Sequence, residues 1–207
     1  MKDIILDKIQ QAINIMPEKI HNVYLYGSRV YGCNSISSDI DIVSVCDIND
    51  KLEKIRLDDI DISIYNVDSF LEMVRKQEIS VLECLFLPAE KIFKQDISFI
   101  INLSLPLLRC SISQKASNSF VKAKKKMTVE KDYNPYIGKK SLFHSLRIIK
   151  FGIQIAKYGK IVDYSEANKY WNEIMFCGNV DWKYYKEKYQ PEYNTLMTEF
   201  RKLAPKL

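Results

Sequence analysis

Histidine is nearly absent from this chain, with two in 207 residues. Five cysteines occur without a CxxC pair. So few soft ligands argue against a structural zinc site, and the odd cysteine count points to reduced thiols in a cytoplasmic protein. There is no GxxxxGK[ST] loop, so a P-loop ATPase is not supported. Long apolar runs are missing too. The most apolar stretch, 97–108, is broken by Asn102, Ser104 and Pro106 and is too short to span a bilayer. The first eight residues carry charges on both sides of a short apolar stretch and lack the apolar core of a signal peptide. No internal repeat is evident. The expectation is a cytoplasmic protein with no membrane partner.

What the chain does contain is ordinary in amount and uneven in placement. Hydrophobic residues make up 47% and charged residues 28%, values of a globular protein rather than a disordered one. Residues 1–108 carry 11 Lys and Arg against 17 Asp and Glu, a net −6. Residues 109–207 carry 20 against 9, a net +11, and hold 9 of the 13 tyrosines and both tryptophans. An acidic half suited to a divalent cation beside a basic, aromatic half is a sensible division for handling polyanions. Lysines interleaved with rings can track phosphates and stack bases; a solvated helix face over an aromatic core is the competing reading.

The densest chemistry lies in Tyr26-Gly27-Ser28-Arg29-Val30-Tyr31-Gly32 and, five residues later, Ser38-Asp39-Ile40-Asp41. A Gly-Ser turn follows the apolar strand Val23–Tyr26, and a second strand opens with two carboxylates. Alternate strand residues share a face, so Asp39 and Asp41 project together while Ile40 and Ile42 pack beneath. Neighbouring carboxylates repel, and a fold that keeps them together normally supplies a cation. Mg²⁺ takes one or two carboxylates plus substrate phosphates. Gly27 lets the backbone approach a phosphate closely, Ser28 offers a hydroxyl, and the helix that follows offers amides. Arg29 reaches either a phosphate or water. The pattern reads as a metal–triphosphate site.

The arrangement GS, three residues, G, five residues, SDxD resembles the signature of the nucleotidyltransferases of the DNA polymerase β superfamily. That resemblance implies a third carboxylate from a later strand, and the run Asp59-Ile60-Asp61-Ile62-Ser63-Ile64-Tyr65 holds two candidates on one face. The family places the acid directly before the Ile-x-Ile-Tyr segment, which selects Asp61 over Asp59. Phe70-Leu71, the run Val81–Phe86 and Lys140-x-x-x-His144-x-x-Arg147 are similar to one branch, the predicted nucleotidyltransferases associated with RNA-repair ligases. The resemblance spans residues 20–160.

Period-2 alternation predicts strands at Val23–Tyr26, Ile40–Val45 and Ile60–Tyr65, with a short one within Ala89–Lys94. Helical spacing predicts a helix from Ile4 to Met16, stopped by Pro17, and two more capped by Asp68-Ser69 and by Ser80. Asp47 to Asp58 reads as a charged connection. No strand is expected after Asp96. The polar segment Cys110–Ser119 reads as a seam, followed by helices at Phe120–Lys131, Lys139–Tyr158, Ser165–Phe176 and near Asp181–Lys188. The fold class is α/β: a small mixed-sheet head, residues 1–108, and a helical region for substrate or nucleotide, residues 109–207.

In the helical region Lys140, His144 and Arg147 fall at i, i+4 and i+7, so one helix face carries all three. This stripe suits a triphosphate or the acceptor, and equally a solvated face. The expected mechanism is two-metal nucleotidyl transfer. Asp39 and Asp41 hold a Mg²⁺ that clamps a nucleoside triphosphate, ATP foremost; with Asp61 they hold a second ion. Asp61 then draws the proton from an acceptor hydroxyl that attacks the α-phosphorus, releasing pyrophosphate. The acceptor stays open between RNA, which the branch favours, and a small molecule or protein hydroxyl. A catalytically silent nucleotide- or partner-binding module of toxin–antitoxin type, and hydrolysis by the same metals, are the other classes. Protein partners are left open.

Overall fold

A computed structural model describes residues 2–36, 38–50 and 52–206. The chain divides into two compact units, Met1–Asn102 and Leu103–Leu207. The first unit runs α1 (Lys2–Ile13), β1 (Ile20–Tyr26), α2 (Ser28–Tyr31), β2 (Ile40–Cys46), β3 (Leu52–Leu57), β4 (Ile60–Asn66), α3 (Val67–Arg75), α4 (Ile79–Leu85) and β5 (Ile92–Gln95). Its strands form one mixed sheet in the order β3-β4-β2-β1-β5. β2 and β4 are parallel, and the other neighbours are antiparallel.

Alternation decides which side chains go to which face. Val23 and Leu25 of β1, Ile42 of β2 and Ile60, Ile62 and Ile64 of β4 form one buried layer with Ile5 and Ile9 of α1. The opposite face receives the intervening residues, among them Tyr24, Asp41 and Asp61. There Tyr24 stacks on Phe70 of α3 with ring centroids 6.1 Å apart, and Tyr65 meets the same ring edge-on. The isoleucines thus anchor the strands from one side while their polar neighbours are aimed to the other.

The charged connection expected at 47–58 is partly a strand. β3 pairs along β4 from Leu52↔Tyr65 to Leu57↔Ile60, turning through Asp58, whose φ of 53° is left-handed. Lys51, in the same connection, lies outside the described residues. Asn66, rather than Asp68 or Ser69, caps α3: its Oδ1 accepts the Ser69 N–H at 2.8 Å. Glu78 precedes α4 without a side-chain cap, where Ser80 was expected to cap it.

The second unit is helical throughout: α5 (Leu105–Thr128), α6 (Pro135–Tyr158), α7 (Asn168–Met175) and α8 (Trp182–Leu203). The polar segment 110–119 is not a break, because it lies inside α5. Ile112 and Ala116 point inward four residues apart, and Gln114, Lys115, Ser117 and Asn118 take the exposed side. α5 and α6 pack very closely at Gly152, where a Cβ would fall 2.8 Å from Ile112 and 3.1 Å from Phe200. α8 runs well past Lys188 and through Pro191, held by buried Tyr185, Tyr189, Leu196 and Phe200 at helical spacing. Among the described residues no helix is long and apolar enough to cross a membrane.

Candidate active site

The Gly-Ser turn and the acids meet through strand register. Tyr26, the last residue of β1, lies opposite Asp41. Gly27 follows with φ 72° and ψ −150°, and a Cβ at this position would sit 2.0 Å from Asp41 Oδ2. Glycine is therefore required twice over, by the backbone angle and by the carboxylate against it. Ser28 opens α2, which Gly32 closes in the left-handed conformation with φ 73°. Tyr31 of α2 anchors the turn from below: its hydroxyl donates to Glu83 of α4 at 2.5 Å, in a buried contact.

The parallel register of β2 and β4 sets Asp41 directly beside Asp61. Asp39 sits just ahead of β2 and, by alternation, shares their face. Asp59 contributes through its backbone, whose carbonyl accepts the Ile40 N–H at 2.7 Å and starts the β2–β4 ladder; its side chain is exposed. Asp39 and Asp61 are about 40% exposed, so this is an accessible rim rather than a buried pocket.

A fourth residue belongs to the rim. Arg56 of β3 lies opposite Asp61 in the antiparallel register. Its Nη1 donates to Asp61 at 2.8 and 3.0 Å and to Asp39 at 3.3 Å, and its Nη2 donates to Asp39 at 2.8 Å. The hydrogen bonds donated to Asp39, then the charges of Asp39 and Asp61, push the guanidinium pKa up. Arg29, read from sequence as reaching a phosphate or water, donates from Nη2 to the Ser38 carbonyl at 2.8 Å and ties α2 to the approach to Asp39.

Three carboxylates on one face are hard oxygen donors of the kind Mg²⁺ takes. Among the described residues no three His, Cys, Asp or Glu side chains are drawn together tightly enough to enclose an ion. Arg56 fills the cation's place between Asp39 and Asp61. The donor types and their shared face fit a divalent ion; the present side-chain arrangement is the one adopted around a guanidinium.

The second unit carries the basic stripe on α6. Lys140 is half-buried, with its ammonium 5.6 Å from the centre of the exposed Tyr136 ring. Arg147 is 4% exposed, its guanidinium 5.0 Å from the Phe151 ring centre. His144 keeps part of its ring surface in water while its Nδ1 is buried with no hydrogen-bond partner. Burial first, then the charges of Arg147, Lys140 and Lys122, push its pKa well down, so the imidazole is neutral at pH 7. The three residues share a face, but only Lys140 presents a half-accessible charge.

Sequence reasoning missed Arg56 and the Tyr31–Glu83 contact. The dipeptide Asp58-Asp59 between Leu57 and Ile60 was the available sign of the hairpin that carries Arg56.

Comparison with known proteins bears on this geometry at the level of family. RlaP, described as the RNA repair pathway DNA polymerase beta family, matches residues 1–169. No curated protein matches the chain. A solved nucleotidyltransferase-like protein from Exiguobacterium sibiricum 255-15 aligns over 96% of this chain and 72% of its own at 9% identity. Its TM-score of 0.32 is too low to bear on the site. The family match covers most of the chain, including both the Gly-Ser turn and the acids: the chain belongs to the RNA repair pathway DNA polymerase beta family, of the polymerase β-type nucleotidyltransferases.

Proposed function

We propose that this chain is a Mg²⁺-dependent nucleotidyltransferase that moves a nucleoside monophosphate from a triphosphate, ATP foremost, to a hydroxyl at an RNA end. The observation that carries the reading is the β2–β4 register, which sets Asp41 beside Asp61 and against the Gly27 turn. Asp39, Asp41 and Asp61 are the residues for two divalent ions. Such ions, when bound, neutralise phosphate charge and lower the pKa of an acceptor hydroxyl.

The chain's own residues account for the rest. The Gly27-Ser28 backbone brings main-chain dipoles and the Ser28 hydroxyl to the terminal phosphates. Arg29 keeps the approach to Asp39 in place through Ser38. Asp61 accepts the proton of the attacking hydroxyl, and pyrophosphate departs from the side of the Gly-Ser turn. Residues 109–207 form the substrate-binding region, where Lys140, beside Tyr136, is the residue placed to meet a phosphate or base; His144 and Arg147 support it. RNA is favoured over a small-molecule or protein acceptor by the family's description as an RNA-repair family. The expected location is the cytoplasm.

Product analysis tests the reading. With α-labelled ATP, Mg²⁺ and short RNAs, transfer yields pyrophosphate and a labelled RNA. Free monophosphate without labelled RNA would mean hydrolysis, and no turnover with any triphosphate or acceptor would mean a binding module.

A further inference from the structure

Arg56 is a full counter-ion seated on two of the acids proposed to bind metal. It comes from the strand on the far side of Asp61 and reaches both Asp61 and Asp39 with one guanidinium. The two contacts use different edges of the fork, Nη1 mainly on Asp61 and Nη2 on Asp39. A lysine would meet both acids from a single nitrogen as a point charge, without the planar fork whose two edges space the carboxylates here. A guanidinium and a divalent ion compete for these two carboxylates: Arg56 already engages both oxygens of each, and the two cations repel at close range.

We propose that Arg56 is a positioning residue that holds Asp39 and Asp61 together before metal arrives and must leave them for a divalent ion to bind, so that it sets the metal affinity of the rim. This rests on the metal-site reading above. The physical logic has two parts. Without Arg56 the neighbouring acids repel and splay, so the metal-free rim is less ordered. With Arg56 the rim is ordered but its negative charge is partly cancelled, so an ion meets a weaker field and a competitor. The side chain is 58% exposed and its partners about 40% exposed, so water screens the pairs and the guanidinium is free to swing away. Nothing in the packing locks it in place, and the competition is therefore reversible.

The test is Mn²⁺ binding to the full chain by isothermal titration calorimetry, without nucleotide. The proteins are wild type, Arg56→Gln, Arg56→Lys, Lys54→Gln and Asp41→Asn. Lys54 lies two residues from Arg56 on the same strand, opposite Ser63 rather than an acid, so it controls for loss of one charge. Arg56→Gln should bind Mn²⁺ about ten-fold more tightly than wild type, in line with removal of a directly competing charge. Lys54→Gln should change affinity less than about two-fold. Arg56→Lys should fall between wild type and Arg56→Gln. In chelator Arg56→Gln should melt below wild type, and saturating Mn²⁺ should raise its midpoint more than it raises that of wild type. Equal or weaker Mn²⁺ binding by Arg56→Gln, with binding abolished in Asp41→Asn, overturns this proposal and leaves the metal site standing. A gain in Lys54→Gln as large as in Arg56→Gln also overturns it. No Mn²⁺ binding by either wild type or Arg56→Gln overturns both this proposal and the metal-site reading.

Discussion

The two units hold the charges of their candidate site residues in different ways. In the sheet unit the acids stand on an accessible rim and are balanced by a charge of opposite sign, Arg56. In the helical unit Lys125, Lys150, Lys157 and Lys188 also pair with acids, but the cations on and beside the candidate stripe of α6 lean on rings. Lys139 lies 5.8 Å from the Tyr185 centroid, Lys140 5.6 Å from that of Tyr136 and Arg147 5.0 Å from that of Phe151. Lys139 is itself buried and donates to the Cys177 carbonyl at 2.5 Å. A carboxylate rim held by one exposed arginine can be reopened by a better cation. A cation sunk beside an aromatic ring is part of the packing. The +11 charge of residues 109–207 therefore overstates the charge on offer to a polyanion.

The sharpest break in this comparison comes from the rim. Asp41→Asn should lower nucleotidyl transfer about 10³-fold, the scale expected when a preorganised charge at the reacting centre is lost. Its melting temperature should stay within about 2 °C of wild type, since one of several crowded acids is neutralised. Gly27→Ala should do both kinds of damage. The new Cβ has no room beside Asp41 and the backbone angle is left-handed, so stability should fall by about 1–3 kcal/mol. Displacing that carboxylate should cost about 10²-fold in rate, measured with melting on the same sample.

The helical unit should split its stripe. Lys140→Glu should leave melting nearly unchanged, weaken RNA binding and reduce the slope of log affinity against log salt by about 1–2. Arg147→Glu should instead destabilise the chain by about 3–5 kcal/mol, because it puts the opposite charge into a buried site built around a cation. Chemical denaturation and salt-dependent binding separate the two. Equal effects on stability would erase the distinction between accessible and packed cations.

A smaller effect follows from His144. Its folded-state pKa is depressed, by burial first, below the unfolded value of about 6.5. The unfolded chain therefore takes up the proton first. Stability should be unaffected above pH 6.5 and should fall as pH drops below it, by at most about 1.4 kcal/mol per pH unit. His144→Asn should remove that component from the wild-type slope between pH 7 and pH 5, read by denaturant titration. The smallest change expected is Asn66→Ala, which removes the cap of α3 and should cost about 1 kcal/mol with no change in transfer rate.

Much of the sheet unit was legible because its signals are local. Ile60, Ile62 and Ile64 alternate with Asp61 and Ser63, and that alone assigns a strand and its faces. The GS turn and DxD spacing then gave a candidate site before any register was known. β3 was not legible. Its residues at 52, 55 and 57 break the two-residue period, and its charges resemble a loop. Arg56 was hidden for the same reason, since its importance lies in cross-strand register with Asp61. In the helical unit, serines and asparagines on the wet side of α5 disguised a continuous helix as a seam. The i, i+4, i+7 spacing of Lys140, His144 and Arg147 correctly gave a shared face but said nothing of depth.

The most direct test of the central claim is transfer of label from α-labelled ATP to RNA by wild type, Asp41→Asn and Asp61→Asn, each shown to be folded by its melting curve. Label should reach RNA with wild type and be lost with both variants, with pyrophosphate released in step. Transfer at the wild-type rate by either folded variant would contradict the assignment of the β2–β4 rim as the site of chemistry.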